Sequence, residues 1–120
     1  ITDPARLQKK DYVFGIRTVG ASKAWPLTAF ADEPVINDAI GGRAIVLVGD
    51  ADGRTVRAYE RGARTFAGDL TVAGGEPWRV TEEALVGPDG TSLPRVAGHI
   101  AYWFAWDGYL GAQAELYGDG

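Results

Sequence analysis

The chain has 120 residues, 46% of them apolar, a net charge of −4 and no cysteine. One domain with a core of its own is expected, since a chain of this size buries roughly two-thirds of the surface its unfolded form exposes. Disulfides, thiolate metal sites and cysteine nucleophiles are excluded together, and no apolar run approaches the roughly 18 residues of a membrane helix.

Residues 1–11 are polar and read as an N-terminal arm ahead of a single domain over residues 12–120. The chain opens on Ile1, as a processed product or a fragment does. Tyr12 to Val19 carry β-branched and aromatic residues at strand density. Gly20-Ala21 turns that strand, and Ser22 to Trp25 return as the second arm of a hairpin. Pro26 lacks an amide donor and ends the arm or holds it to an edge. Leu27 to Phe30 is a helical turn at most.

Pro34 to Ile40 reads as extended, and Gly41-Gly42 can supply the positive φ angles of a two-residue hairpin. Arg43 to Val48 is apolar on both faces, which marks a central buried strand. Gly49 to Gly53 turns the chain, and Arg54 to Glu60 alternates polar with apolar as a half-exposed strand does. Signals weaken from Gly62 to Gly75, where Thr65-Phe66 and Leu70 to Val72 read as short strands, followed by Pro77 to Val80. Thr81 can cap a single turn through Ala84, its hydroxyl accepting an amide. Gly87 to Gly90 is a turn by composition.

Ile100, Trp103, Phe104 and Asp107 recur at helical spacing, with Trp103, Trp106 and Leu110 as an adjacent stripe. The spacing predicts the one helix over residues 99–110, packed on the sheet, and Ala114 to Tyr117 as a last strand. Seventeen glycines among many short apolar segments point to a β-rich α+β domain: a curved antiparallel or barrel-like sheet with a C-terminal helix.

The residues that carry a family resemblance are now in view. They are the Ala21 to Leu27 segment, Val35 to Arg43 with its Asn-Asp-x-x-Gly-Gly-Arg pattern, Tyr59-Glu60-Arg61, Trp78, and Trp103-Phe104-Ala105-Trp106. Together they resemble the bacterial DUF3179 family, a domain of unknown function. The resemblance covers nearly the whole chain. Many members carry a Cys-Pro-Leu-Cys segment where this chain has Gly49-Asp50-Ala51-Asp52, so any thiol or metal chemistry of those cysteines is lost here. The resemblance implies an extracytoplasmic protein, secreted or held at the cell envelope.

Candidate chemistry is sparse. His99 is the single histidine, and a transition-metal or haem site would need partners of a kind the chain lacks. Its functional reading is a hydrogen-bonding role near Trp103; its structural reading is a helix-start residue satisfied by nearby backbone. Asp38 can pair with Arg43 or cap the hairpin by bonding a nearby amide; the functional reading makes Asp38 and Arg43 a ligand-facing pair. Asp50-Ala51-Asp52-Gly53 resembles the opening of a calcium loop, but twelve positions on from Asp50 stands Arg61 rather than a glutamate. Glu82-Glu83 are adjacent and diverge, which suits no glycosidase pair. No cofactor and no metal is expected.

Four tryptophans are hard to bury entirely in a small domain, so at least one is expected at a contact surface. The binding candidates are Asp38, Arg43, His99, Trp103 and Trp106. The sequence favours a non-catalytic extracytoplasmic interaction or structural module whose partner is a protein, a second copy included, in an oligomer or filament. With its basic residues dispersed, it is not expected to bind nucleic acid. The alternative is a small-molecule-binding or enzymatic domain with a pocket around His99, Trp103, Trp106 and Asp38.

Overall fold

A computed structural model describes residues 11–110 and 115–118. The expected arm therefore lies almost wholly outside the described residues, as does Ala114 of the last predicted strand.

Ten strands and two short helices follow in order: β1 (Tyr12–Thr18), β2 (Ala21–Pro26), α1 (Ala29–Asp32), β3 (Val35–Ile40), β4 (Arg43–Asp50), β5 (Thr55–Glu60), β6 (Arg79–Val80), β7 (Ala84–Val86), β8 (Ser92–Val96), β9 (His99–Tyr102), α2 (Trp103–Leu110) and β10 (Glu115–Leu116). They form two open sheets, one in the order β10-β2-β1-β9 and the other β3-β4-β5-β8-β7-β6. The β-rich character is as expected; the barrel is not there. No ladder joins the two sheets among the described residues, so neither closes on itself.

Strand alternation sorts the apolar residues into three cores. Phe14, Ile16 and Trp25 of the first sheet meet Ile36, Ile40, Ile45, Leu47, Val56 and Ala58 of the second, forming the largest. The opposite face of the second sheet supplies Val35, Val46, Tyr59, Leu85 and Leu93, covered by Phe66 and Trp78 from the 61–78 segment. The opposite face of the first supplies Val13 and Ala24, covered by Trp106 with Trp103 beside it. β4 is buried on both faces because a core lies on each side of it.

The hairpins follow the turn chemistry. Gly41 and Gly42 both take positive φ, +56° and +80°, which is the two-residue turn whose twist suits paired strands. Thr81 does cap its turn: the Ala84 amide donates to the Thr81 hydroxyl at 3.0 Å.

Three segments depart from expectation. Residues 99–102 are strand, not helix, because β1 offers Tyr12 to Gly15 as a pairing edge and His99 to Tyr102 fill it. The helix begins only at Trp103. The short strands expected at Thr65-Phe66 and Leu70 to Val72 do not form, with Gly62, Leu70, Ala73 and Gly74 in and around them all at positive φ, which breaks any ladder. β8 lies in a stretch to which the sequence assigns no element; it pairs with β7, with Pro94 opposite Ala84.

Candidate functional site

Asn37 and Asp38 are neighbours in sequence and opposites in space. β3 turns Asn37 towards the Phe66 core and Asp38 towards the Trp25 core. Asn37 Nδ2 donates to the Phe66 carbonyl at 2.8 Å, and the Phe66 amide donates to Asn37 Oδ1 at 2.9 Å. One side chain thus replaces a strand neighbour for the 61–78 segment. Asp38 Oδ2 accepts from Trp25 Nε1 at 2.9 Å and lies 3.1 Å from Lys23 Nζ.

Arg43 does not meet Asp38. It pairs with Glu60 across β4 and β5, its Nε donating to Glu60 Oε1 at 2.9 Å. The Asp38–Arg43 pair expected from their spacing is therefore replaced by two separate ones. The reason is the hairpin register: Asp38 lies opposite Ile45, two positions beyond Arg43.

Arg61, which carried no role in the sequence, braces this region. Its guanidinium donates to the carbonyls of Ile45 at 2.7 Å, Arg64 at 2.9 Å and Asp38 at 3.0 Å. A half-buried cation satisfied by three carbonyls fixes backbone rather than chemistry. Asn37, Asp38 and Arg43 of the Asn-Asp-x-x-Gly-Gly-Arg pattern each bond another part of the fold.

His99 lies in β9 opposite Gly15, exposed, with its ring 5.5 Å from that of Trp106 at an interplanar angle of 62°. Trp103 opens α2 beside it, its amide donating to the Asp11 carbonyl at 2.7 Å. These three share the outer face of the first sheet, whereas Asp38 belongs to the inner face. The four-residue pocket is not assembled: a sheet stands between its carboxylate and its histidine.

None of the four tryptophans is exposed; Trp25 and Trp106 are buried, Trp78 and Trp103 half-buried. Among the described residues the exposed tyrosine and phenylalanine rings are Tyr102 and Phe104, 40% and 51% exposed. Tyr12 stacks on Tyr102 with centroids 4.7 Å apart, and Tyr102 stacks on Phe104 at 5.7 Å. The Arg54 guanidinium lies 4.4 Å from the Tyr12 centroid. Arg54 holds φ at +52°, a left-handed conformation that costs a non-glycine residue roughly 1 kcal/mol. The Tyr12 hydroxyl lies 3.2 Å from that of Tyr102, and this hydrogen bond raises the Tyr102 phenol above its ordinary value of 10.0. Sequence reasoning missed this row because its members come from three separate segments. The one local signal was the broken alternation at Tyr102-Trp103-Phe104.

The acidic candidates are absorbed into structure. Asp50 accepts the Asp52 amide at 3.2 Å within its turn. Glu82 holds Arg57 and Arg95 together and its carboxyl titrates below the ordinary 4.5, chiefly through the Arg57 hydrogen bond. Among the described residues no three metal-ligating side chains gather, and no helix is long and apolar enough to cross a membrane.

The family described as "Protein of unknown function (DUF3179)" matches residues 2–113. No curated protein and no solved structure matches the chain.

Proposed function

The chain belongs to the DUF3179 family, which carries no assigned activity, and we propose from its surfaces that it is a non-catalytic interaction module that self-associates outside the cytoplasm. The observation that supports this is the exposed row Arg54–Tyr12–Tyr102–Phe104. It has the Arg54 cation at one end and the half-exposed Phe104 ring at the other. Two copies related by a two-fold axis would place each Arg54 against the other copy's Phe104, an isologous contact in which cation meets π-face twice. Stacked tyrosine and phenylalanine rings give such a contact large area at low entropic cost.

Light scattering behind size exclusion tests this reading. The expected mass is a multiple of 12.8 kDa, returning to the monomer on Phe104→Ser or Arg54→Glu. A wild-type monomer at every accessible concentration overturns it. The extracytoplasmic placement rests on the family resemblance, and cell fractionation of the source organism checks it.

A further inference from the structure

No ladder joins the two sheets among the described residues, yet Lys23 of β2 and Asp38 of β3 reach across from one to the other. Lys23 Nζ lies 3.1 Å from Asp38 Oδ2 and 3.3 Å from Oδ1. The amine therefore faces the carboxyl group as a whole rather than one of its oxygens. Both side chains are largely withdrawn from water, at 15% and 18% exposure. The Trp25 and Tyr117 rings flank the amine, with centroids 5.6 and 5.9 Å from Nζ.

The carboxyl group is held as an acyl acceptor is held. Trp25 Nε1 donates to Oδ2 at 2.9 Å, and the Ala39 amide donates to Oδ1 at 2.7 Å. Donors fixed on both oxygens draw charge away from Cγ and stand ready for the oxyanion that forms when a nucleophile adds there. Glu115 Oε2, from β10 beside β2, lies 3.9 Å from the same Nζ. A nucleophile, a polarised carboxyl group and a base thus sit together, in a chain that has no cysteine to join its sheets.

We infer that Lys23 Nζ and Asp38 Cγ join in an isopeptide bond, with Glu115 as the proton carrier. A proton passes from the ammonium to Asp38 Oδ1, which leaves a free amine facing a neutral carboxylic acid. Nζ then adds to Cγ, and the Trp25 indole meets the charge that develops on Oδ2. Glu115 takes a proton from Nζ and delivers it to Oδ1; the Cγ–Oδ1 bond breaks and Oδ1 departs as water. An ammonium and a carboxylate have become an amide and a water, with nothing oxidised and no co-reactant consumed. Trp25 keeps its acceptor, because Oδ2 remains as the amide carbonyl. The bond ties β2 to β3, and its effect adds to that of the noncovalent contacts of the same residues. It forms within one copy of the chain, so it stands apart from self-association.

The experiment is mass spectrometry of the full chain under denaturing conditions, before and after trypsin. The intact mass should fall below that of the sequence by one water. Trypsin cuts after Arg17 and Arg43 but should spare Lys23, whose amine is no longer free, so residues 18–43 should appear as one peptide, a water light. Lys23→Arg keeps the positive charge but has no attacking amine, and should show the full mass of its sequence. Glu115→Gln, followed by intact mass after timed cell-free synthesis, should form the bond about a hundredfold more slowly. The peptide map reads the unaltered protein, so a misfolded variant cannot imitate it. A full sequence mass in the unaltered chain, or a cut after Lys23 with the water missing from residues 24–43 (a succinimide at Asp38), would overturn the inference. So would the same loss of water in Lys23→Arg, or an undiminished rate in Glu115→Gln.

Discussion

The indole nitrogen of Trp25 donates to the carboxylate of Asp38 at 2.9 Å, joining the two sheets through their shared core. Trp25 is fully buried, and Lys23 and Asp38 are 15% and 18% exposed. Removing the carboxylate leaves an indole N–H without its acceptor and Lys23 with Glu115, 3.9 Å away, as its remaining counter-ion, a cost of about 2 kcal/mol. Asp38→Asn keeps an acceptor for the indole and loses only the charge, so it should cost about 1 kcal/mol. Urea denaturation of Asp38→Ala and Asp38→Asn measures both. Unchanged midpoints would return Asp38 to the list of residues kept for chemistry.

Asn37 makes a different claim on the same strand. Its two bonds to Phe66 hold the segment that carries Phe66 and Trp78, whose rings meet edge to face at 5.2 Å. Asn37→Ala should lower stability by about 1–3 kcal/mol. Because the loss is local, the 61–78 segment should open before the rest. Limited proteolysis is therefore expected to cut there first, with amide exchange at Phe66 rising more than at Leu47. Cleavage spread evenly over the chain would show that Asn37 is not the segment's tether.

How much of this was legible follows from the range of each interaction. The Gly41-Gly42 hairpin and the doubly buried β4 were readable because turn geometry and burial on two faces leave marks within a few residues. The strand at His99 to Tyr102 was not, because its cause is the open edge of β1, more than eighty positions away. Asp38 and Arg43 stand close in sequence and bond different partners. Spacing alone cannot say that strand alternation sends Asn37 and Asp38 to opposite cores, nor that Glu60 lies across from Arg43. The aromatic row joins residues from distant segments, and no single window contains it.

Acid sensitivity should trace to particular carboxylates. Glu82 titrates below its ordinary 4.5 because Arg57 and then Arg95 hydrogen-bond its charged form. Asp69 and Asp89 are lowered from 3.8, chiefly by the side-chain bond from Thr71 and the backbone bond from Thr91 respectively. A group whose folded value is depressed contributes stability above its unfolded value and loses it as pH falls through the folded one. Melting temperature should therefore drop as pH goes below about 4.5, the unfolded value for glutamate. Glu82→Gln should show a shallower drop, since it has no proton to take up. Parallel curves for the two proteins would mean that the Glu82 bonds contribute nothing in solution.

Trp106 covers the outer face of the first sheet only because Gly15 has no side chain. A Cβ built on Gly15 would stand 2.3 Å from Trp106 Cζ3, far inside any real contact. Gly15 sits in a strand at an ordinary negative φ, so the backbone would accept alanine; the ring would not. Gly15→Ala should therefore push Trp106 off the sheet at a cost of about 1–3 kcal/mol, the range for overpacking a core. The displaced indole should red-shift the tryptophan emission. Trp106→Phe in the same background should restore part of the stability, because the smaller ring clears the added methyl. His99, whose ring leans on Trp106, should show altered ring-proton shifts in the alanine variant and not in a substitution of Asp38. An unshifted emission spectrum in Gly15→Ala would mean that the sheet yields instead of the ring, and α2 would then be the better-anchored partner of the two.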